Sequence, residues 1–131
     1  MKLKLILFSA IFCLASGIFA QVDITPDIQA ALKSGYAGAL ADHFTESIDL
    51  TIIDEDGAYS KAQAEQILKK FFEENKPLSF TIKHSGSSQR GDQYKIGDLK
   101  TTKGSYRVSI YIRKQGDRNQ IFRLWIEENE E

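Results

Sequence analysis

The chain has 131 residues, of which 42% are hydrophobic and 27% charged, with nine glycines and two prolines. This balance is typical of one globular domain and excludes collagen-like, disordered and multi-domain chains. The formal net charge is −1. A dedicated nucleic-acid-binding protein needs a basic excess, so that class is excluded as well.

The beginning of the chain differs in kind from the rest. Lys2 and Lys4 precede an apolar run over residues 5–19. A short basic end, an apolar stretch and a small residue before polar sequence are typical of a secretory signal peptide, so we predict that residues 1–20 are one. The apolar run is shorter than the ~20 residues that a membrane-spanning helix needs, which makes a retained anchor the minor alternative.

Export determines the expected compartment and the cysteine content. We favour cleavage after Ala20, which closes the apolar run, and keep cleavage after Gly17 as the alternative. Cys13 is the only cysteine and leaves with the signal peptide, so the mature domain, residues 21–131, holds no disulfide. Because Lys2 and Lys4 are also lost, the mature net charge is −3. We expect a periplasmic or extracellular domain that has no membrane contact after cleavage.

The first predicted helix begins at residues 25–27, Thr-Pro-Asp. Threonine supplies a capping oxygen, proline fits the first helical position and aspartate faces the positive end of the helix dipole. Apolar residues then recur in steps of three and four from Ile28 to Phe44, as on one helical face. Gly35 and Gly38 weaken this helix, and they either allow close packing or divide it in two.

The second predicted helix begins with a capping box. Ser60 is followed three residues later by Gln63, the pattern in which each side chain binds the other's backbone N–H. The helix ends near Lys76, because the next residue is Pro77. Its expected buried residues are Ala64, Ile67, Leu68, Phe71 and Phe72.

Alternation of apolar and polar residues predicts the strands. One strand covers residues 47–53, a turn follows at residues 54–57, and Ala58-Tyr59 pairs briefly. Four more strands lie beyond Pro77, and the last three are joined by short links as an antiparallel meander. The apolar faces of three of them are Leu78, Phe80, Ile82 and His84; then Tyr106, Val108, Ile110 and Ile112; then Phe122, Leu124 and Ile126.

The element order is helix, strand, helix and four strands. This order predicts an α+β fold in which helices pack on one face of a curved antiparallel sheet. At this level the chain resembles the nuclear-transport-factor-2-like (NTF2-like) superfamily, whose cone-shaped fold is also called cystatin-like. It is similar more narrowly to a family of small secreted bacterial proteins of unknown function, in the segments 59–65, 68, 71–72, 84, 94, 96–97 and 104–108. The resemblance implies a fold and no activity.

Four polar side chains on otherwise apolar faces are candidates for a ligand pocket: Tyr36, His43, His84 and Tyr94. Enzymes among the NTF2-like proteins that the chain resembles hold a base and a hydrogen-bond donor in such a pocket. Asp42 cannot orient His43, because neighbours on a helix point ~100° apart. Asp98 becomes a partner for His84 only if Gly97 marks a bulge that turns it inward.

Metal chemistry is not expected. After processing the chain keeps two histidines and no cysteine, and their spacing matches no zinc motif. Asp54, Asp56 and Gly57 match only part of a calcium loop, so we interpret them as a solvated hairpin. We therefore predict no metal, no cofactor and no catalytic residue.

The outward side chains of the last two strands predict an interface: Arg107, Tyr111, Arg113, Ile121, Arg123 and Trp125. Arginine, tyrosine and tryptophan are favoured at binding hot spots. The alternative is a ladder of cation–π contacts that only shields the sheet. Our leading hypothesis is a secreted, non-enzymatic homodimer that binds a small ligand or a protein. The alternative is a lyase or isomerase that uses His84 or His43 in acid–base chemistry.

Overall fold

The computed structural model describes residues 22–130, so the predicted signal peptide lies outside the described residues. Within this range no helix is long and apolar enough to cross a membrane. The helices are α1 (Thr25–Ser34), α2 (Ala37–Ala41) and α3 (Lys61–Glu74). The strands are β1 (Phe44–Ile52), β2 (Glu55–Ser60), β3 (Pro77–Ser87), β4 (Gln93–Thr101), β5 (Gly104–Gln115) and β6 (Arg118–Glu128).

The strands form one six-stranded sheet in the order β2-β1-β6-β5-β4-β3. Neighbouring strands are antiparallel, except that β1 runs parallel to β6. The antiparallel prediction is therefore confirmed for β3 to β6 and wrong for the β1–β6 pair. A parallel pair needs a long crossover, which β2, α3 and β3 to β5 provide here. The α+β fold predicted from the sequence is confirmed.

The first helical segment is divided in two. Gly35 caps the end of α1 with a φ of 71°, a left-handed conformation that glycine adopts without steric cost. The N–H of Tyr36 then donates to the carbonyl of Ala31 at 3.0 Å. The helix begins one residue earlier than predicted, because Ile24 is its N-cap. Thr25 is thus the first helical residue, and its predicted capping role is wrong.

Helix α3 begins as its capping box predicts. The Gln63 N–H donates to Ser60 Oγ and the Ser60 N–H donates to Gln63 Oε1, both at 3.2 Å. Four of the five residues expected to be buried are buried, and Ile67 is half-buried.

The core lies between the three helices and one face of the sheet, which we call the inner face. Phe44, Leu68 and Phe72 are buried there against Val108 and Ile110. The opposite side of the sheet is the outer face. Residues paired directly across neighbouring strands share a face, so the register assigns each side chain to one side or the other.

Two details of the strands differ from the alternation pattern. Leu78 has no partner of its own in the β3–β4 register and is 60% exposed, so its predicted burial is wrong. The β1–β2 turn consists of Ile53 and Asp54, and β2 already begins at Glu55. Ile53 adopts a φ of 56°. A β-branched residue rarely takes this left-handed conformation, so no local sequence pattern predicts a turn at this position.

Candidate functional site

Five side chains form a connected group on the outer face, which we call the outer-face cluster: Tyr111, Arg113, Phe122, Arg123 and Trp125. The rings of Tyr111 and Trp125 meet edge to face with centroids 5.5 Å apart, a favourable aromatic geometry. The Arg113 guanidinium lies 3.7 Å from the centre of the Phe122 ring. The Arg123 guanidinium lies 5.4 Å from the Trp125 ring. All five side chains are half-buried.

A bulge in β6 decides which residues belong to this cluster. Tyr111 pairs with Arg123 and Ile112 pairs with Ile121, so Phe122 is the extra residue in β6. Ile121 is fully buried in the core, and its predicted place on the interface is wrong. Phe122 was expected in the core, but its ring centroid lies 6.2 Å from that of Tyr111 on the outer face. The extra residue of a bulge reverses the alternation that a sequence pattern assumes.

Charges of both signs lie around the cluster. Arg123 donates to Asp49 Oδ2 of β1 at 3.4 Å. The exposed Arg107 sits in one cross-strand row with Asp98 and Glu127. A face that holds cations and carboxylates beside aromatic rings can meet its own copy, because a twofold axis brings each patch against the same patch.

Two of the four predicted pocket residues also lie on the outer face. Lys83 is the extra residue of a bulge in β3, so that His84 pairs with Ile96. His84 is exposed and lies on the opposite side of the sheet from Ile82. Tyr94 pairs with Tyr111 and is 37% exposed. The expectation that His84 faces the core side of the sheet is wrong, because Lys83 shifts the alternation.

The other two predicted pocket residues lie on the helical side of the molecule. Tyr36 and His43 line one shallow cavity of about 340 Å³. His43 Nε2 lies 3.5 Å from Asp27 Oδ2. The Asp27 side chain is 66% exposed, so this pair is in contact with water. The structure therefore divides the four candidates into two pairs, and the two histidines do not share a site.

The carboxylate considered as a partner for His84 faces outward. Gly97 keeps a regular register with Ile82 and Val108, so there is no bulge to turn Asp98 inward. Asp98 instead accepts a hydrogen bond from Asn129 Nδ2 at 3.1 Å. Among residues 22–130, no group of three or more histidine, cysteine, aspartate or glutamate side chains could hold a metal ion.

Sequence reasoning missed Phe122, Asp49 and Asp27. Phe122 follows Ile121 directly, and two adjacent apolar residues in a strand are a signal that either one can face the core. Asp49 is brought to Arg123 by the parallel β1–β6 pairing, which no local pattern indicates. Asp27 reaches His43 because α2 folds back on α1 after Gly35.

Comparisons with known proteins identify a family and a fold. Residues 25–127 match a family described as a domain of unknown function, DUF4783. The chain belongs to the DUF4783 family. A crystal structure of a DUF4783 family protein from Bacteroides uniformis is 27% identical in sequence. That match covers 83% of this chain and 100% of the other, with a TM-score of 0.78.

Two more distant structures show the same fold. An NTF2-like designed protein is 16% identical over 79% of this chain and 92% of its own, with a TM-score of 0.63. A domain of unknown function with a cystatin-like fold from Nostoc punctiforme is 10% identical over 81% of this chain and 73% of its own, with a TM-score of 0.65. No curated protein matches the chain. The predicted NTF2-like, cystatin-like fold is thus confirmed.

Proposed function

We propose that this DUF4783 chain is an exported, non-enzymatic binding protein that forms a homodimer through its outer-face cluster. The observation that carries the proposal is the contact of Arg113, Arg123 and three aromatic rings on a sheet face that none of the helices within residues 22–130 covers. Arginine and large aromatic residues are the types that contribute most to binding at interfaces.

The energetics require the whole cluster to take part. Burial of a large aromatic side chain contributes roughly 2–3 kcal/mol at most, and Trp125 and Tyr111 are already half-buried in one copy. Association costs at least ~4 kcal/mol. A twofold interface counts each contact twice, so Phe122 and Tyr94 on the same face add to the gain. Arg107 contributes through its aliphatic stem and through carboxylates of the second copy.

The placement of the histidines supports a non-enzymatic role. General acid–base chemistry needs both proton-transfer groups within hydrogen-bond reach of one substrate. His84 lies on the outer face, whereas His43 lies beside α1. The contact of His43 with Asp27 is the one observation that favours the enzymatic alternative. An exposed carboxylate in contact with water gives such a pair little of the dry environment that active sites provide.

Light scattering over a concentration series tests the homodimer. We expect the mature protein to have the mass of a dimer, and Trp125→Asp to have the mass of a monomer with an unchanged circular dichroism spectrum. Tyr36→Asp is the matched control, because Tyr36 is 66% exposed on the helical side and its replacement should leave the dimer intact. A monomeric wild type at about 100 µM would mean a dissociation constant too weak for a specific dimer and would refute the proposal.

Mass spectrometry of protein from the native cell envelope tests export. We expect the mature chain to begin at Gln21, or at Ile18 if cleavage follows Gly17. Protein that still begins at Met1 would contradict the exported part of the proposal and leave the dimer to be judged on its own.

A further inference from the structure

The division of the first helical segment creates a groove on the helical side of the molecule, far from the outer face. The groove has a volume of about 460 Å³ and lies between the α1–α2 junction and α3. Phe72 and Pro77 line its apolar part, and Tyr36 stands at its edge with 66% of the residue exposed. Its volume falls in the range of small-molecule sites, which spans roughly 300–1,000 Å³.

The backbone holds Tyr36 in place on both sides. Its N–H donates to the Ala31 carbonyl at 3.0 Å, and its carbonyl accepts from the Leu40 N–H at 3.3 Å. An exposed aromatic ring on a fixed backbone presents its surface to a ligand with little loss of conformational freedom. This placement contrasts with Phe72, which is buried beneath the groove.

Two glycines keep the groove open. A Cβ atom at Gly38 would lie 2.9 Å from Glu65 Oε1, and one at Gly35 would lie 2.9 Å from Pro77 Cδ. Both distances are closer than side chains normally approach. A side chain at Gly38 would therefore press against Glu65 and the Tyr36 ring, and a side chain at Gly35 would press against Pro77.

The charges along the groove cancel. Glu65, Lys69 and Glu73 follow one another at intervals of four on α3, and Lys76 lies beyond its end. Among the described residues, the salt bridges are His43–Asp27 and Arg123–Asp49, so these four groups are not paired with one another. The two carboxylates offer hydrogen-bond acceptors and the two ammonium groups offer donors. The four charges add up to zero, so the groove favours neither an anionic nor a cationic ligand.

We infer that this groove binds a neutral sugar ring. The apolar C–H face of a pyranose can pack against the face of an aromatic ring such as that of Tyr36. The contact buries apolar surface and places C–H groups against the negative face of the ring. Its hydroxyl groups both donate and accept, so Glu65 and Lys69 can each bind one. A neutral lining with alternating donors and acceptors matches such a ligand better than a charged metabolite.

Saturation-transfer NMR on protein purified from the cell envelope after expression of the full chain tests this inference. The probes are methyl β-glucopyranoside, methyl β-galactopyranoside and N-acetylglucosamine, each at about 10 mM, because a single ring is expected to bind near 1 mM. We expect saturation of the C–H protons of at least one sugar. No saturation for any of the three would overturn the inference.

Two variants locate the site. Tyr36→Ser should weaken binding at least about tenfold, as expected for the loss of one aromatic contact. Gly38→Ala should do the same while favouring the helical backbone, since alanine is the better helix former. Tyr94→Ser is the matched control, because Tyr94 is an exposed tyrosine on the outer face. Equal loss in the control, or unchanged binding in both groove variants, would show that the sugar binds elsewhere.

The inference is independent of the homodimer. Trp125→Asp protein, whether monomeric or not, should bind the same sugar with unchanged affinity, because Trp125 lies on the opposite side of the sheet from the helices. A wild-type protein that is monomeric and still binds one of the probes refutes the dimer proposal alone, and a wild-type dimer that binds none of the probes refutes only the sugar site.

Discussion

Ile112 pairs with Ile121 across β5 and β6, one residue out of step with the neighbouring pair of Tyr111 and Arg123. The shift buries Ile121 completely and leaves Phe122 half-buried on the outer face. Two adjacent apolar residues thus have different roles, one in the core and one in the cluster.

Truncation of these two neighbours should give different losses of stability. Ile121→Ala should lower the free energy of unfolding by about 3 kcal/mol, because it leaves a cavity in a packed core. Phe122→Ala should lower it by about 1 kcal/mol, since the ring is half-buried and contributes mainly its contacts with Arg113 and Tyr111. Urea unfolding at one low protein concentration measures both. A larger loss for Phe122→Ala would mean that the bulge is misplaced.

Sequence patterns correctly predicted the structural features that depend on residues close together along the chain. The capping box of Ser60 and Gln63 satisfies its own backbone groups within four residues, so it can be recognised without the tertiary fold. The core faces of β5 and of most of α3 follow from periodicity alone, and Val108, Ile110 and Leu68 are buried as predicted.

Bulges and the strand order depend on partners that are distant in sequence. An alternating pattern assumes that every residue of a strand has a partner in the next strand, but Lys83 and Phe122 are extra residues without one. Each extra residue therefore changes the face of the sheet on which its neighbour in the strand lies. This is why His84 and Ile121 were placed on the wrong sides. The contact of Arg123 with Asp49 likewise requires β1 to lie beside β6, which only the completed sheet determines.

Gly97 should not tolerate a side chain. A Cβ atom there would lie 2.6 Å from the Thr81 carbonyl oxygen and 2.7 Å from the Phe80 ring, and backbone in a paired strand cannot move away cheaply. Gly97→Ala should therefore lower the free energy of unfolding by about 1–3 kcal/mol.

Gly57→Ala is the control for this change. The atoms nearest to its Cβ atom belong to the Tyr59 side chain, at 3.0 Å, in the edge strand β2, and a side chain can yield more easily than the backbone of a paired strand. The control should change the free energy of unfolding by less than about 0.5 kcal/mol. Equal effects of the two substitutions would contradict the close approach of Phe80 and Thr81 to Gly97.

Tyr106 should make the protein sensitive to alkaline pH. Its hydroxyl donates to Asn75 Oδ1 at 2.8 Å. Burial raises the pKa of Tyr106 in the folded state, and the nearby Glu128 carboxylate raises it further. In the unfolded chain a tyrosine ionises near pH 10. Above that value the unfolded state therefore releases a proton that the folded state retains, so stability is lost as the pH rises through the folded pKa.

Tyr106→Phe isolates this effect from the other groups that titrate at high pH. At pH 7 the wild type should be more stable than the variant by about 1 kcal/mol, because the variant lacks the hydrogen bond to Asn75. The difference should shrink above pH 10, because ionisation of Tyr106 then stabilises the unfolded state of the wild type. Phenylalanine cannot ionise, so the unfolded state of the variant gains no such stabilisation. Urea unfolding of both proteins from pH 7 to about pH 11 measures the difference across the ionisation range of tyrosine. If the difference stays constant over that range, Tyr106 ionises alike in both states, and its burial has no effect on its titration.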